Sequence, residues 1–273
     1  MNELLQNPAV QAGVVPFLMA LAASAVLGST RFLGLGQVGG FLALVALAIG
    51  FSFEPMTAMR KLIVLGTASG LAVLLLEVPR QPRKEAAWGV LALLALGTVW
   101  MLWRLLVQRE LPLALLAGGL SVAFVVALAA SMLHVSARSP IEGAAAGVMI
   151  GLGMGALAVL GASAVLALAA ISVGAGAGAA LLVQMLRGQS APVGASIALP
   201  AATVAALAGV LATQTASLPW FALLPVLAAP WAVRLVPARL QAVWLRAFAA
   251  AALALVPMLV AVAVAWAAAP GAS

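Results

Sequence analysis

The chain has no cysteine, no aspartate and no tyrosine, a single histidine, and charge on only 7% of its 273 residues. Without cysteine there is no disulfide, no thiolate metal site and no sulfur nucleophile. One histidine and no aspartate cannot supply the usual ligand sets of a hydrolytic metal centre. A Ser-His-acid arrangement would have to draw on His134, Ser136 and Glu142, which share one short stretch with nothing to hold their geometry. The glycine-rich stretches carry no lysine, so a phosphate-binding loop is absent as well. These absences predict a protein that is not an enzyme and carries neither metal nor cofactor.

Acidic side chains are scarce. Glu3, Glu54, Glu77, Glu85, Glu110 and Glu142 all fall at or near the ends of apolar runs, and none follows residue 142. Ion-coupled carriers hold their coupling ion on a buried carboxylate, so this placement argues against proton coupling. The eleven arginines and two lysines also sit at run ends, singly or in short clusters. The longest cluster, "PRQPRKE" at 79–85 with Arg80, Arg83 and Lys84, reads as a loop near anionic headgroups. Nothing here has the form of a nucleic-acid footprint.

What the chain does have is apolar surface: 66% of its residues are hydrophobic, far above the share of soluble domains. A soluble core of this length would leave much of that surface in water. The reading is an all-α polytopic membrane protein in which residues 1–273 form one membrane domain. About twenty residues per span gives ten helices: 8–28, 32–51, 61–76, 86–107, 111–132, two within 143–186 divided near 167–171, then 193–212, 219–236 and 245–268. Nine basic residues then fall on one side and four on the other, which puts both termini outside the cytoplasm. The start "MNELLQNPAVQ" has no basic leader and does not read as a cleaved signal peptide. Abundant alanine and arginine over lysine point to a GC-rich bacterial genome, and so to the plasma (inner) membrane.

A faint echo divides the chain. "ASAVL" at 23–27 recurs at 162–166, and "WRLLVQREL" with Arg104 and Arg109 is echoed by "WAVRLVPARL" with Arg234 and Arg239. Halves 1–134 and 143–273, joined by a loop at 134–142, would each hold five helices, and an odd number per repeat forces opposite orientations. In helix count this resembles the drug/metabolite-type transporters.

Gly143, Gly147, Gly151 and Gly155 recur every fourth residue on one helix face. In lipid such a row lets another helix approach closely, with dispersion supplying the attraction. "GQVGG" at 36–40 and "GAGAGAA" at 174–180 read the same way. Pro16, Pro200, Pro225, Pro230 and Pro257 predict kinks. The polar side chains within spans are nearly all hydroxyls, and Thr67, Ser69, Ser121, Ser163 and Thr203 are the candidates to line a substrate path. The densest cluster is "GTASG" at 66–70, while Gln37 and Gln184 fall nearer helix ends. Glu54 with Arg60 and Lys61 would form a gate or an interfacial ion-pair network. The expected function is a small transporter or channel for a neutral, amphipathic or lipid-like molecule. The alternative is a non-catalytic anchor or assembly subunit. Its partners would be the lipid bilayer and either another membrane protein or a second copy of the chain.

Overall fold

The computed structural model describes residues 7–8, 10–28, 30–51, 54–77, 84–191, 194–215 and 218–269. Among them every regular element is helical. Eight helices are long and apolar enough to cross a membrane: α1 (Val10–Leu27), α3 (Ala58–Glu77), α4 (Lys84–Val107), α5 (Leu111–Arg138), α6 (Pro140–Leu160), α7 (Ala164–Arg187), α8 (Ala195–Thr215) and α10 (Val243–Ala267). Two shorter apolar helices complete the order, α2 (Leu33–Ile49) and α9 (Trp220–Leu235). The basic residues Arg80 and Arg83 and the expected helix start at 193 lie outside the described residues.

Two connections differ from expectation. The loop expected over 134–142 is a single residue: α5 continues through Arg138, and α6 starts at Pro140. "HVSAR" holds no helix breaker. The break waits for Ser139, which the following proline forces out of the helical region (φ −146°, ψ 96°). Ser139 then caps α6, its hydroxyl accepting the Glu142 N–H. The second difference lies in the run 143–186, which turns at 161–163 and not near 167–171. "ALAAI" offers a helix no reason to stop, whereas Gly161 and the extended Ser163 flank Ala162, held at φ 60°. Ser163, expected inside a span, therefore sits in this turn.

Prolines explain α9. Pro219, Pro225 and Pro230 each remove a backbone donor, and the segment runs largely as 3₁₀ turns, Trp220–Leu223, Pro225–Ala228 and Val233–Leu235. At ~2.0 Å rise per residue, such turns reach further than an α-helix of equal length.

The sequence of α8, dominated by alanine with Gly209, lets neighbours close on all sides of it. In its apolar stretch 94% of the residues are buried, against 67% in those of α6 and α7. It is sheathed by α3, α5, α6 and α7. Outside this core, α1 and α2 pack on α7, α10 on α6, and α4 on α3 and α5. The packing is not that of two equal halves: α5 lies along α8, but its repeat counterpart α10 makes no comparable contact with α3 among the described residues.

The glycine row of α6 marks where the core is tightest. A Cβ on Gly151 would lie 2.5 Å from the Gly174 Cα of α7, and one on Gly155 2.5 Å from Ile171 Cγ1. Gly147 is less crowded, facing Ala177 and Ala201 methyls at 3.3 and 3.4 Å, and Gly143 meets the Ser136 hydroxyl of α5. Backbone-to-backbone contact of this kind is what small residues permit in lipid. The 36–40 stretch does the same for α2, with Gly40 on the Pro16 carbonyl of α1.

Candidate functional site

Two grooves flank α5. The first, about 710 Å³, lies between α5, α8 and α9, with Leu120, Phe124, Val210 and Leu223 among its walls. The second, about 1050 Å³, lies between α4 and α5 and runs from Trp88 to Trp103 and Val107. Their shape follows from sequence: α5 presents Ala117, Gly118, Gly119, Ala123 and Ala127 where larger residues would fill the space. Gly119 has nothing within 4 Å of where its Cβ would stand. Arg109, Ala123 and Ala127 belong to both grooves.

Polar groups line the first groove at two levels, Arg109 at one end and Ser121, Thr213 and Gln214 further along. Ser121 donates to the Ala117 carbonyl at 2.6 Å and accepts a long contact of 3.5 Å from the Gln214 carboxamide. The Gln214 Oε1 is shielded from solvent and has no hydrogen-bond partner among the described residues. Thr213 lines the same wall, its hydroxyl turned to the Val210 carbonyl. The arrangement suits a molecule that is apolar over most of its length and polar at one end.

The opposite end of the bundle holds a closed polar cluster around the first turn of α8. Glu77, only 2% exposed, accepts the Ser196 N–H at 2.7 Å through Oε1, while its Oε2 is unpartnered among the described residues. The Ser196 hydroxyl donates to the Arg31 carbonyl at 2.9 Å and accepts the Gly34 N–H at 3.3 Å. Arg31 in turn donates to the Glu77 carbonyl at 3.2 Å. Gln37, fully buried, donates to the Ile197 carbonyl at 3.1 Å. A carboxylate at a helix N-terminus meets both the free N–H groups and the positive end of the helix dipole. Glu77 therefore ties α3 and the α1–α2 turn to the central helix. Position near a helix end concealed this role, because the end of a helix need not be exposed.

The remaining residues singled out in the sequence are dispersed. Ser69 and Thr203 meet across α3 and α8 in a small void of about 110 Å³, with the Ser69 hydroxyl bonded to Gly66 O at 2.6 Å. The Thr203 hydroxyl is buried without a partner among the described residues. Thr67 bonds within its own helix to Ile63 O at 2.9 Å, as isolated hydroxyls in lipid do. The "GTASG" cluster is a packing face, Gly66 against Phe41 and Val204 and Gly70 against Val38. Lys61 turns into the bundle, donating to the Trp100 carbonyl at 2.8 Å with its ammonium 4.9 Å from that ring. Arg60 donates to the Pro55 carbonyl, next in the chain to Glu54. His134, Ser136 and Glu142 diverge: His134 stacks near Trp231, Ser136 packs on Gly143 and Gly194, and Glu142 pairs with Arg246 at 2.6 Å.

No protein-family model matches the chain, and no match is found among curated proteins or solved structures. The functional reading therefore rests on the grooves and their chemistry.

Proposed function

We propose that this chain is a polytopic membrane carrier for an amphipathic, lipid-like molecule, which enters between α4, α5, α8 and α9. The observation that carries the reading is the pair of grooves beside α5, lined mostly by apolar residues, with Arg109 at one end of both. The α4 wall from Trp88 to Val107 extends roughly 28 Å at ~1.5 Å per residue, close to the ~30 Å of a hydrocarbon core. A molecule in that groove can cross the bilayer without leaving the protein's surface.

The same reading takes all ten helices as crossings. Supporting it, Glu77, Arg31 and Ser196 meet at one end of the bundle, so α2 and α3 form a complete return. Arg246 pairs with Glu142 at that same end, so α9 carries the chain back from the end of α8. Tryptophan placement agrees: Trp100, Trp103, Trp220 and Trp266 belong to the Arg109 end, Trp88, Trp231 and Trp244 to the other, and all seven are exposed. Two such rings match the two interfaces of a bilayer. The positive-inside rule then orients the Glu77 end to the cytoplasm of a bacterial inner membrane, with nine basic residues against four. The packing lends no support to an inverted repeat, and the reading does not need one.

The test is transbilayer movement of a fluorescent phospholipid in vesicles containing the purified protein. Movement above that of protein-free vesicles, reduced when Ala123→Trp blocks both grooves, is the expected result. Movement equal to protein-free vesicles would refute the carrier.

A further inference from the structure

Arg109 lies in the short α4–α5 connection, exposed, and its guanidinium has no partner among the described residues. It lines both grooves. The grooves run on opposite flanks of α5, and the residues they share further along are the small Ala123 and Ala127. The helix is thus a low ridge with a cation at its head and an apolar trough on either side.

We infer that one anionic diacyl phospholipid sits astride α5, its phosphate on Arg109 and one acyl chain in each groove. The proposal rests on the carrier reading and specifies its cargo or resident lipid. Charge complementarity selects the head: an unpaired guanidinium at headgroup depth presents a planar fork of donors that matches phosphate oxygens. The paired troughs select two chains, because one chain would leave the other groove empty beneath the same arginine. The neighbouring carboxylate, Glu110, lines neither groove, so the head of the site is cationic. The Ser121–Gln214 contact lies roughly 15 Å further along the first trough, at the level of the acyl chain.

The experiment is native mass spectrometry of the delipidated full-length protein titrated with dioleoyl phosphatidylglycerol. Dioleoyl phosphatidylcholine, a single-chain lysophosphatidylglycerol and inorganic phosphate are titrated alongside. The expected result is one saturable phosphatidylglycerol per chain, with weaker binding of the other three. Arg109→Gln should weaken it at least about tenfold, the worth of a charge-assisted bidentate contact. Arg109→Lys should recover part of the loss, while Arg104→Gln, on the same membrane face but outside both grooves, should leave binding unchanged. Ala123→Trp should abolish binding with the arginine intact. Equal retention by Arg109→Gln and Arg104→Gln marks an ordinary lipid annulus and overturns the site, as does equal affinity for the single-chain lipid. Binding with these properties but no transbilayer movement would refute the carrier and leave the lipid site standing. Movement without saturable binding would do the reverse.

Discussion

The close approach of α6 and α7 makes a graded prediction from three glycines in comparable helical settings. Replacing an interior helical glycine by alanine gains about 0.8–1.0 kcal/mol of propensity, and the new methyl then has to find room. At Gly119 there is nothing within 4 Å, so Gly119→Ala should stabilise by roughly that amount. At Gly147 the methyl would meet Ala177 and Ala201 at 3.3 and 3.4 Å, tight but yielding, and the two effects should nearly cancel. At Gly151 it would stand 2.5 Å from Gly174 Cα, 2.6 Å from Gly174 N and 2.8 Å from the Ala170 carbonyl. All three are backbone atoms, so relief requires the helices to part by roughly 1 Å, which forfeits a quarter to a half of each contact along the seam. Overpacking of this kind costs about 1–3 kcal/mol, so after the propensity gain Gly151→Ala should end up about 0–2 kcal/mol less stable than the parent. Unfolding of the three variants in mixed micelles, followed by intrinsic tryptophan fluorescence, gives the ranking directly. Equal stability of Gly151→Ala and Gly119→Ala would show that the seam is not in backbone contact and refute the reasoning.

Other outcomes follow from single residues. Glu77→Ala strands the buried Ser196 N–H and should cost about 1–3 kcal/mol in the same assay, whereas Glu77→Gln retains an acceptor and should lose less than half as much; similar losses for both would mean the charge, not the hydrogen bond, matters. Ala162 occupies a left-handed conformation that costs a non-glycine residue roughly 1–2 kcal/mol, so Ala162→Gly should raise the unfolding midpoint, and a lowered one would contradict the turn at 161–163. If α9 crosses, single cysteines replacing Thr215 and Ala238 in this cysteine-free chain should react with impermeant reagent from opposite sides, and labelling of both from one side would remove that crossing.

Much of the architecture was legible because charge is so costly in hydrocarbon that its absence delimits the helices. The glycine row was legible for a related reason: in lipid, a face without side chains has few uses other than close packing. The turn at 161–163 was not, because apolar residues and glycines continue across it and only the backbone of Ala162 and Ser163 distinguishes it. The 134–142 stretch misled in the opposite sense, its polar residues suggesting a loop although nothing before Ser139-Pro140 stops a helix. Of the candidate hydroxyls, Ser121 lines the smaller of the two grooves, and Ser69 and Thr203 share a small void. Neither pairing follows from spacing along the chain. In the sequence Arg109 stands out only through the charge count and the "WRLLVQREL" echo, and its place between two grooves depends on which helices become neighbours. Glu77 was hidden by the assumption that a helix end lies at the water.

The sheathing of α8 has a consequence for biosynthesis. Translation proceeds from the N-terminus, so α3, α5, α6 and α7 are made before the helix they surround. Until α8 leaves the ribosome, these four lack the helix that most of their inner faces pack against. The central helix therefore arrives after the four it packs against and before the outer α9 and α10, so the core closes neither first nor last.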